Sequence, residues 1–199
     1  MNPIVTISGT SRPDNYTSRA LEVVNKQLRA AGATVDEFDA RRLDFNFPGE
    51  KKTEDAERLQ EAIRQADAVV IATPEYHGSC AAMTKLIIEN LGFPSVLEGK
   101  AVSLLGVAAG RIGAIKSLEQ LRNICAHVGA VVLPGAVSVA GVQNAFDDDG
   151  NCTDDDVREM LQGLADNTVD YIERRICPSQ VLEARIRDDK DEKPWSTNL

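Results

Sequence analysis

The run Ala68-Val69-Val70-Ile71-Ala72-Thr73 constrains the fold more than any other stretch of this chain. Successive residues of a strand point to opposite faces, and here neither face carries a charge, so both must be covered. The rest of the chain supplies the cover. Short β-branched runs at residues 4–8, 34–38, 68–73, 101–108 and a fifth beyond Gly129 alternate with segments of helical period. Five strands and five helices in strict alternation predict an α/β fold, a doubly wound parallel sheet of order 2-1-3-4-5 with helices on both faces.

The helices are placed by apolar spacing and end signals. Residues 16–31 put Leu21, Val24 and Leu28 on one face, with Gly32 as the stop. Thr53 is positioned to cap a helix whose buried stripe is Ala56, Leu59, Ile63 and Ala66. The third strand is expected to end at Pro74. A helix with Met83, Leu86, Ile87 and Leu91 inward follows and closes at Gly92, and the next carries Ile115, Leu118, Leu121, Ile124 and Cys125. Thr153, with Asp156 three residues later, opens the last, which bears Val157, Met160, Leu161, Leu164 and Ile172. Neither a repeat nor an internal boundary is visible. Residues 1–175 read as one domain, and the charged segment 176–199 as a tail that is loose or packs on a partner.

Lys and Arg number 22 against 31 Asp and Glu, a net charge of -9. Six of the acids fall in residues 147–156, which hold no base, leaving the remaining chain at -3. No basic stripe is available for a phosphate backbone, so neither a nucleic-acid partner nor a polybasic membrane anchor is expected. Cys80, Cys125, Cys152 and Cys177 are scattered, without zinc or disulfide spacing. The amino terminus lacks a signal-peptide pattern, and no run reaches the roughly 18 apolar residues of a membrane span, so a soluble cytoplasmic protein is expected.

In a doubly wound sheet, ligands bind beyond the carboxyl ends of the strands where strand order reverses, here between strands one and three. The loop after strand one reads Ser8-Gly9-Thr10-Ser11-Arg12-Pro13-Asp14-Asn15-Tyr16-Thr17-Ser18 and opens onto a helix. Hydroxyls, a guanidinium and exposed helix amides form an anion cradle. Capping alone needs one hydroxyl and explains neither Arg12 nor the surplus of donors. The loop has no GxxxxGK[ST], no GxGxxG and no cysteine nucleophile, and a receiver domain would want acids where Ser8-Gly9 stands. A phosphate held without being attacked remains.

The loop after strand three is Thr73-Pro74-Glu75-Tyr76-His77-Gly78-Ser79, followed by Cys80-Ala81-Ala82-Met83-Thr84-Lys85. It resembles the PEYNxSxPGxLKN segment of the NADPH-dependent FMN reductase family, and SGTSRPDNYTSRAL is similar to that family's GSxRxxSxN phosphate loop. The resemblance extends from residue 4 to about residue 172 and implies a flavodoxin-like fold. It implies that Thr10, Arg12, Asn15, Tyr16 and Thr17 surround the phosphate of FMN, and that Pro74, Glu75, Tyr76, His77, Gly78 and Ser79 line the isoalloxazine. Ala109, Gly110, Arg111, Ile112 and Gly113 resemble the glycine-containing loop that closes the far side of the ring. NADPH or NADH is the implied hydride donor, and no dedicated acid or base is needed, because the cofactor carries the chemistry. A ping-pong cycle ending on a quinone, azo compound, metal ion or free flavin, and a homodimer or homotetramer, are implied too. Two departures stand out: His77 replaces the usual asparagine, and Ala81-Ala82 the usual proline and glycine. The family's aromatic residue after this helix is not evident.

Other polar features have plainer readings. Cys80, near a helix amino terminus, is a candidate for a lowered pKa; Cys125 lies on an apolar helical face and reads as core. His127 suits a helix end and Arg41-Arg42 a solvated pair. A calcium loop aligned on Gly150 would need an acid where Ala145 stands and a glutamate where Asp156 stands, so a tight turn is preferred and no metal is expected. A flavodoxin-like electron carrier without nicotinamide activity is the rival to a reductase, and a flavin-free binding module is a third reading.

Overall fold

The computed structural model describes residues 2–192; the end of the charged segment, residues 193–199, lies outside the described residues. Among the described residues the strands are β1 (Pro3–Ser8), β2 (Thr34–Asp39), β3 (Ala68–Tyr76), β4 (Ser79–Cys80), β5 (Ala101–Val107), β6 (Val131–Val132) and β7 (Val137–Val139). The helices are α1 (Tyr16–Ala30), α2 (Glu54–Gln65), α3 (Ala82–Glu89), α4 (Ile115–His127), α5 (Asp155–Tyr171) and α6 (Cys177–Glu192). The parallel order is β2-β1-β3-β5, with β6 and β7 both paired to β5 and β4 folded antiparallel onto β3. With β6 and β7 counted as the expected fifth strand, this is the flavodoxin-like order.

Alternation along the strands explains the two layers. Ala68, Val70 and Ala72 of β3 join Leu21, Val24 and Leu28 of α1 and Leu161, Leu164 and Val169 of α5. Val69 and Ile71 face the other way, against Leu59 and Ile63 of α2, Ile87 of α3 and Leu121 and Cys125 of α4. The doubly apolar strand is buried throughout residues 68–74.

Several expectations need correction. β3 does not stop at Pro74 but runs to Tyr76, with Pro74 paired to Val107. The Ala72 carbonyl accepts from Gly9 on the β1 side, and Pro74, two residues on, turns its nitrogen the same way, past the end of β1, so no ladder bond is lost. The fifth strand is split by Leu133-Pro134-Gly135-Ala136, where Gly135 has a φ of 82°. Asp154, not Thr153, caps α5 by accepting from the Val157 amide at 3.1 Å. The buried stripe of α3 is Thr84, Ile87 and Ile88, so Met83 and Leu86 are only half-buried, and Ile115 and Met160 are exposed. Beyond Tyr171 the chain stays helical, through a π-helical turn at Ile172–Ile176 into α6.

Candidate functional site

The first loop is shaped by its own side chains. Asn15 caps α1: Oδ1 accepts from the Ser18 amide at 2.7 Å, and Nδ2 donates to the Arg12 carbonyl at 2.8 Å. Thr10 is buried and its Oγ1 accepts from the Arg12 amide at 3.3 Å. These two expected ligand residues therefore fix the loop. Among the described residues, the Tyr16 and Thr17 amides have no hydrogen-bond partner and Arg12 has no carboxylate partner. The Tyr16 ring sits between the Arg19 guanidinium, 5.3 Å from its centroid, and Phe146, at 6.2 Å.

The loop is welded to α3. The Thr84 hydroxyl donates to the Gly9 carbonyl at 2.7 Å and lies 2.9 Å from the Thr73 hydroxyl, which accepts from the Ala81 amide at 3.1 Å. Gly9 is required here, since a Cβ would meet Thr84 Oγ1 at 2.3 Å and the Ala72 carbonyl oxygen at 2.9 Å.

After β3 the chain forms a two-residue hairpin turn, His77 at φ 53° and Gly78 at φ 74°. Both residues of such a turn need positive φ, which asparagine tolerates better than most residues and histidine also accepts. The His77 departure is thus accommodated by the backbone, with the side chain exposed. Ser79 Oγ donates to Gln120 Oε1 at 2.6 Å, and the same oxygen accepts from the Cys80 amide at 3.1 Å. Ala81 is the N-cap of α3, without a side-chain cap. Glu75 Oε2 accepts from the Ser117 amide at 3.1 Å, so it caps α4, whose own N-cap residue is Ala114.

In the third loop, the Gly110 carbonyl accepts from the Gly113 and Gly141 amides. Gly113 has a φ of 79°, and a Cβ there would lie 2.5 Å from Ser138 Oγ. Arg111 and Ile112 are exposed.

Together the loops enclose a cleft of about 400 Å³ lined by Arg12, Asp14, Asn15, Tyr16, Thr17, Pro74, Glu75, Tyr76, Ala109 and, unexpectedly, Val107, Ala108, Val142 and Gln143. Thr10, His77, Gly78, Ser79, Gly110, Arg111 and Gly113 are not among its lining residues. Gln143 donates to the Ala109 carbonyl at 3.3 Å. The missed signal was Gly141, at φ 57° beyond β7, which opens one more loop at the carboxyl edge of the sheet. The fit to FMN is direct: free helix amides and a guanidinium suit the phosphate, and the Pro74, Val107, Ala108 and Ala109 floor suits a planar ring.

Burial pushes the Cys80 thiol up, against the helix-end expectation, and Cys125, fully buried, up to about 12. For Asp39, burial raises the carboxyl but the hydrogen bonds and charge of Arg41 outweigh it, so Arg41 is an ion-pair partner of Asp39. Asp147 is lowered by hydrogen bonds from Asn151 and the Gly150 amide, closing the acidic run into a turn.

Residues 3–144 match the NADPH-dependent FMN reductase family. An NAD(P)H-dependent FMN reductase of Pseudomonas aeruginosa is 32% identical over 170 residues, covering 80% of this chain and 89% of the relative. A quinone reductase of Escherichia coli K12 is 35% identical over 184 residues, covering 86% and 95%. Among solved structures, the flavoenzyme NAD(P)H:(acceptor) oxidoreductase FerB of Paracoccus denitrificans superposes with a TM-score of 0.73 at 27% identity, over 87% of this chain and 98% of that one. A match across most of the chain, with the loop after β1 and the carboxyl ends of β3 and β5 lining one cleft, means that the chain belongs to the NADPH-dependent FMN reductase family.

Proposed function

We propose that this enzyme takes hydride from NADPH or NADH and delivers the electrons by a ping-pong cycle to a quinone, azo compound, metal ion or free flavin. Bound FMN supplies the redox chemistry. The observation that carries the reading is a single cleft whose one end offers unpaired amides and Arg12 and whose other end is an apolar floor. In this reading Arg12, Tyr16 and Thr17 hold the phosphate, while Thr10 and Asn15 keep the loop in shape. Pro74, Glu75, Tyr76 and Ala109 border the ring, and Gly110 holds the third loop through its carbonyl. His77, Gly78, Ser79 and Gly113 act by fixing the loops, and Arg111 stands exposed on the third loop. Residues 1–175 are the FMN-binding body, with 176–199 appended to it.

The test is anaerobic mixing of FMN-loaded protein with each nicotinamide, followed by benzoquinone. Bleaching of the oxidised flavin absorbance, its return on adding acceptor, and parallel steady-state double-reciprocal lines support the proposal. Absorbance that survives both nicotinamides supports the electron carrier instead.

A homodimer or homotetramer is proposed as well. A groove of about 900 Å³ runs along α3 and α4, lined in part by Phe47, Ile88, Phe93 and Ile124. Phe47 is 71% exposed and Phe93 wholly so, the apolar character of an interface. Phe93→Glu should lower the mass measured by light scattering; an unchanged mass removes this groove from the interface. No described helix is long and apolar enough to cross a membrane, and a cytoplasmic location is the proposal that accompanies this activity.

A further inference from the structure

Thr6 Oγ1 and Asn25 Oδ1 are the two buried side-chain polar atoms among the described residues that have no hydrogen-bond partner. Thr6 is 0% exposed, midway along β1, and Asn25 is 2% exposed, on α1. Both line one chamber of about 50 Å³ between strand and helix, shared with Ser8 and Ser18. Each buried orphan needs an explanation, and the convergence of these two on one space calls for a common partner.

The chemistry of the two atoms specifies that partner. Asn25 Oδ1 only accepts, so it needs a donor; the Thr6 hydroxyl has a proton to give. The two do not bond to each other. One molecule that both accepts and donates satisfies both at once, and a chamber needs only roughly 10–15 Å³ and two to four polar contacts to hold a water. The carboxylates at the rim do not make it a cation site: Glu37 pairs with Arg29, Asp39 with Arg41, and Glu22 lies 3.8 Å from Lys26. We infer that this chamber binds one ordered water, which accepts from Thr6 Oγ1 and donates to Asn25 Oδ1. Its remaining proton faces the Ser8–Ser18 hydroxyl pair, whose oxygens are 2.8 Å apart. Because the Ser18 amide is held by Asn15, the water seats α1 on β1 immediately behind the loop that caps it.

The test is a crystal structure of the FMN-loaded protein at about 1.5 Å or better, with Thr6→Val, Asn25→Leu and the double variant. A density peak about 2.7–3.2 Å from both atoms, lost in the double variant, is expected. Each single substitution strands the other residue and lowers the melting temperature by about 2–12 °C. The double variant should lose less than the sum, because residues that do not touch are coupled here through the water. An empty chamber in the wild-type protein, a peak at the roughly 2.3–2.6 Å contacts of a bound cation, or strictly additive melting shifts would each overturn the inference. If a variant does not fold, the wild-type density alone decides.

Discussion

Gly9→Ala should damage this protein well beyond the loss of conformational freedom at one loop position. The added Cβ lies 2.3 Å from Thr84 Oγ1 and 2.9 Å from the Ala72 carbonyl oxygen. The carbonyl cannot retreat without breaking the bond it accepts from Gly9 at 2.8 Å, so Thr84 must rotate. Its hydroxyl then loses the bonds to the Gly9 carbonyl and to Thr73. Two neutral hydrogen bonds are worth about 0.5–1.5 kcal/mol each, and overpacking a tight site costs about 1–3 kcal/mol. The expected loss is therefore about 2–6 kcal/mol. At roughly 2–4 °C per kcal/mol for a chain of this size, melting falls by about 4–24 °C. Differential scanning fluorimetry reads this directly, and fluorescence quenching of FMN reports the accompanying shift of the loop after β1. The controls are Gly110→Ala and Gly163→Ala, where a Cβ meets nothing within 4 Å and φ is not positive. The first should be near neutral; the second, on the exposed face of α5, should stabilise by about 0.5–1 kcal/mol. A Gly9→Ala protein that melts within a degree of wild type and binds FMN unchanged would refute the weld between β1, β3 and α3.

Arg12→Ala should weaken FMN binding by about 1.5–3 kcal/mol, the range for a hydrogen bond to a charged group; an unaltered titration excludes Arg12 from the phosphate site. Glu75→Ala removes the remote cap of α4 and should cost about 0.5–2 kcal/mol, whereas Glu75→Gln keeps an oxygen and recovers part of it, as urea unfolding will tell. Cys125 should be the slowest of the four thiols to alkylate in the native state, mapped by mass spectrometry. Its folded pKa lies above its ordinary value of 9.0, so the stability of the neutral thiol is complete below about pH 9 and lost as pH rises toward 12. A Cys125→Ala variant should flatten that alkaline decline; an identical decline in both proteins assigns it to other groups.

The sheet order and the two segments that border the cleft at the carboxyl ends of β1 and β3 were legible because they rest on long-period signals: runs with two apolar faces, and polar loops at the carboxyl edge. What escaped was the direction of side chains. Asn15 and Glu75 read as ligand residues, yet each accepts from a helix amide, at Ser18 and Ser117; a carboxylate or carboxamide looks the same in sequence whichever way it turns. Thr84 escaped because a hydrophobic stripe is sought among apolar residues, while α3 buries a hydroxyl bonded to two neighbours. Val142 and Gln143 carry no such signal, because the segment before them is a three-residue strand split from its partner by Pro134 and Gly135, although every strand of a parallel sheet ends at the same edge.

Glu75 and Gln120 have a consequence for anyone who would exchange the hairpin at residues 74–80 to alter what this enzyme reduces. The segment is not a free cassette, because one end of it terminates the amide array of α4 and the other end is hung from the middle of the same helix. A transplanted hairpin must bring a carboxylate of the right reach and find a carboxamide waiting at Gln120. Without both, the recipient gains a new wall and loses the footing of the helix behind it. A substitution at Gln143, exposed on the cleft and bonded through its side chain to the Ala109 carbonyl, changes the lining while leaving that footing in place.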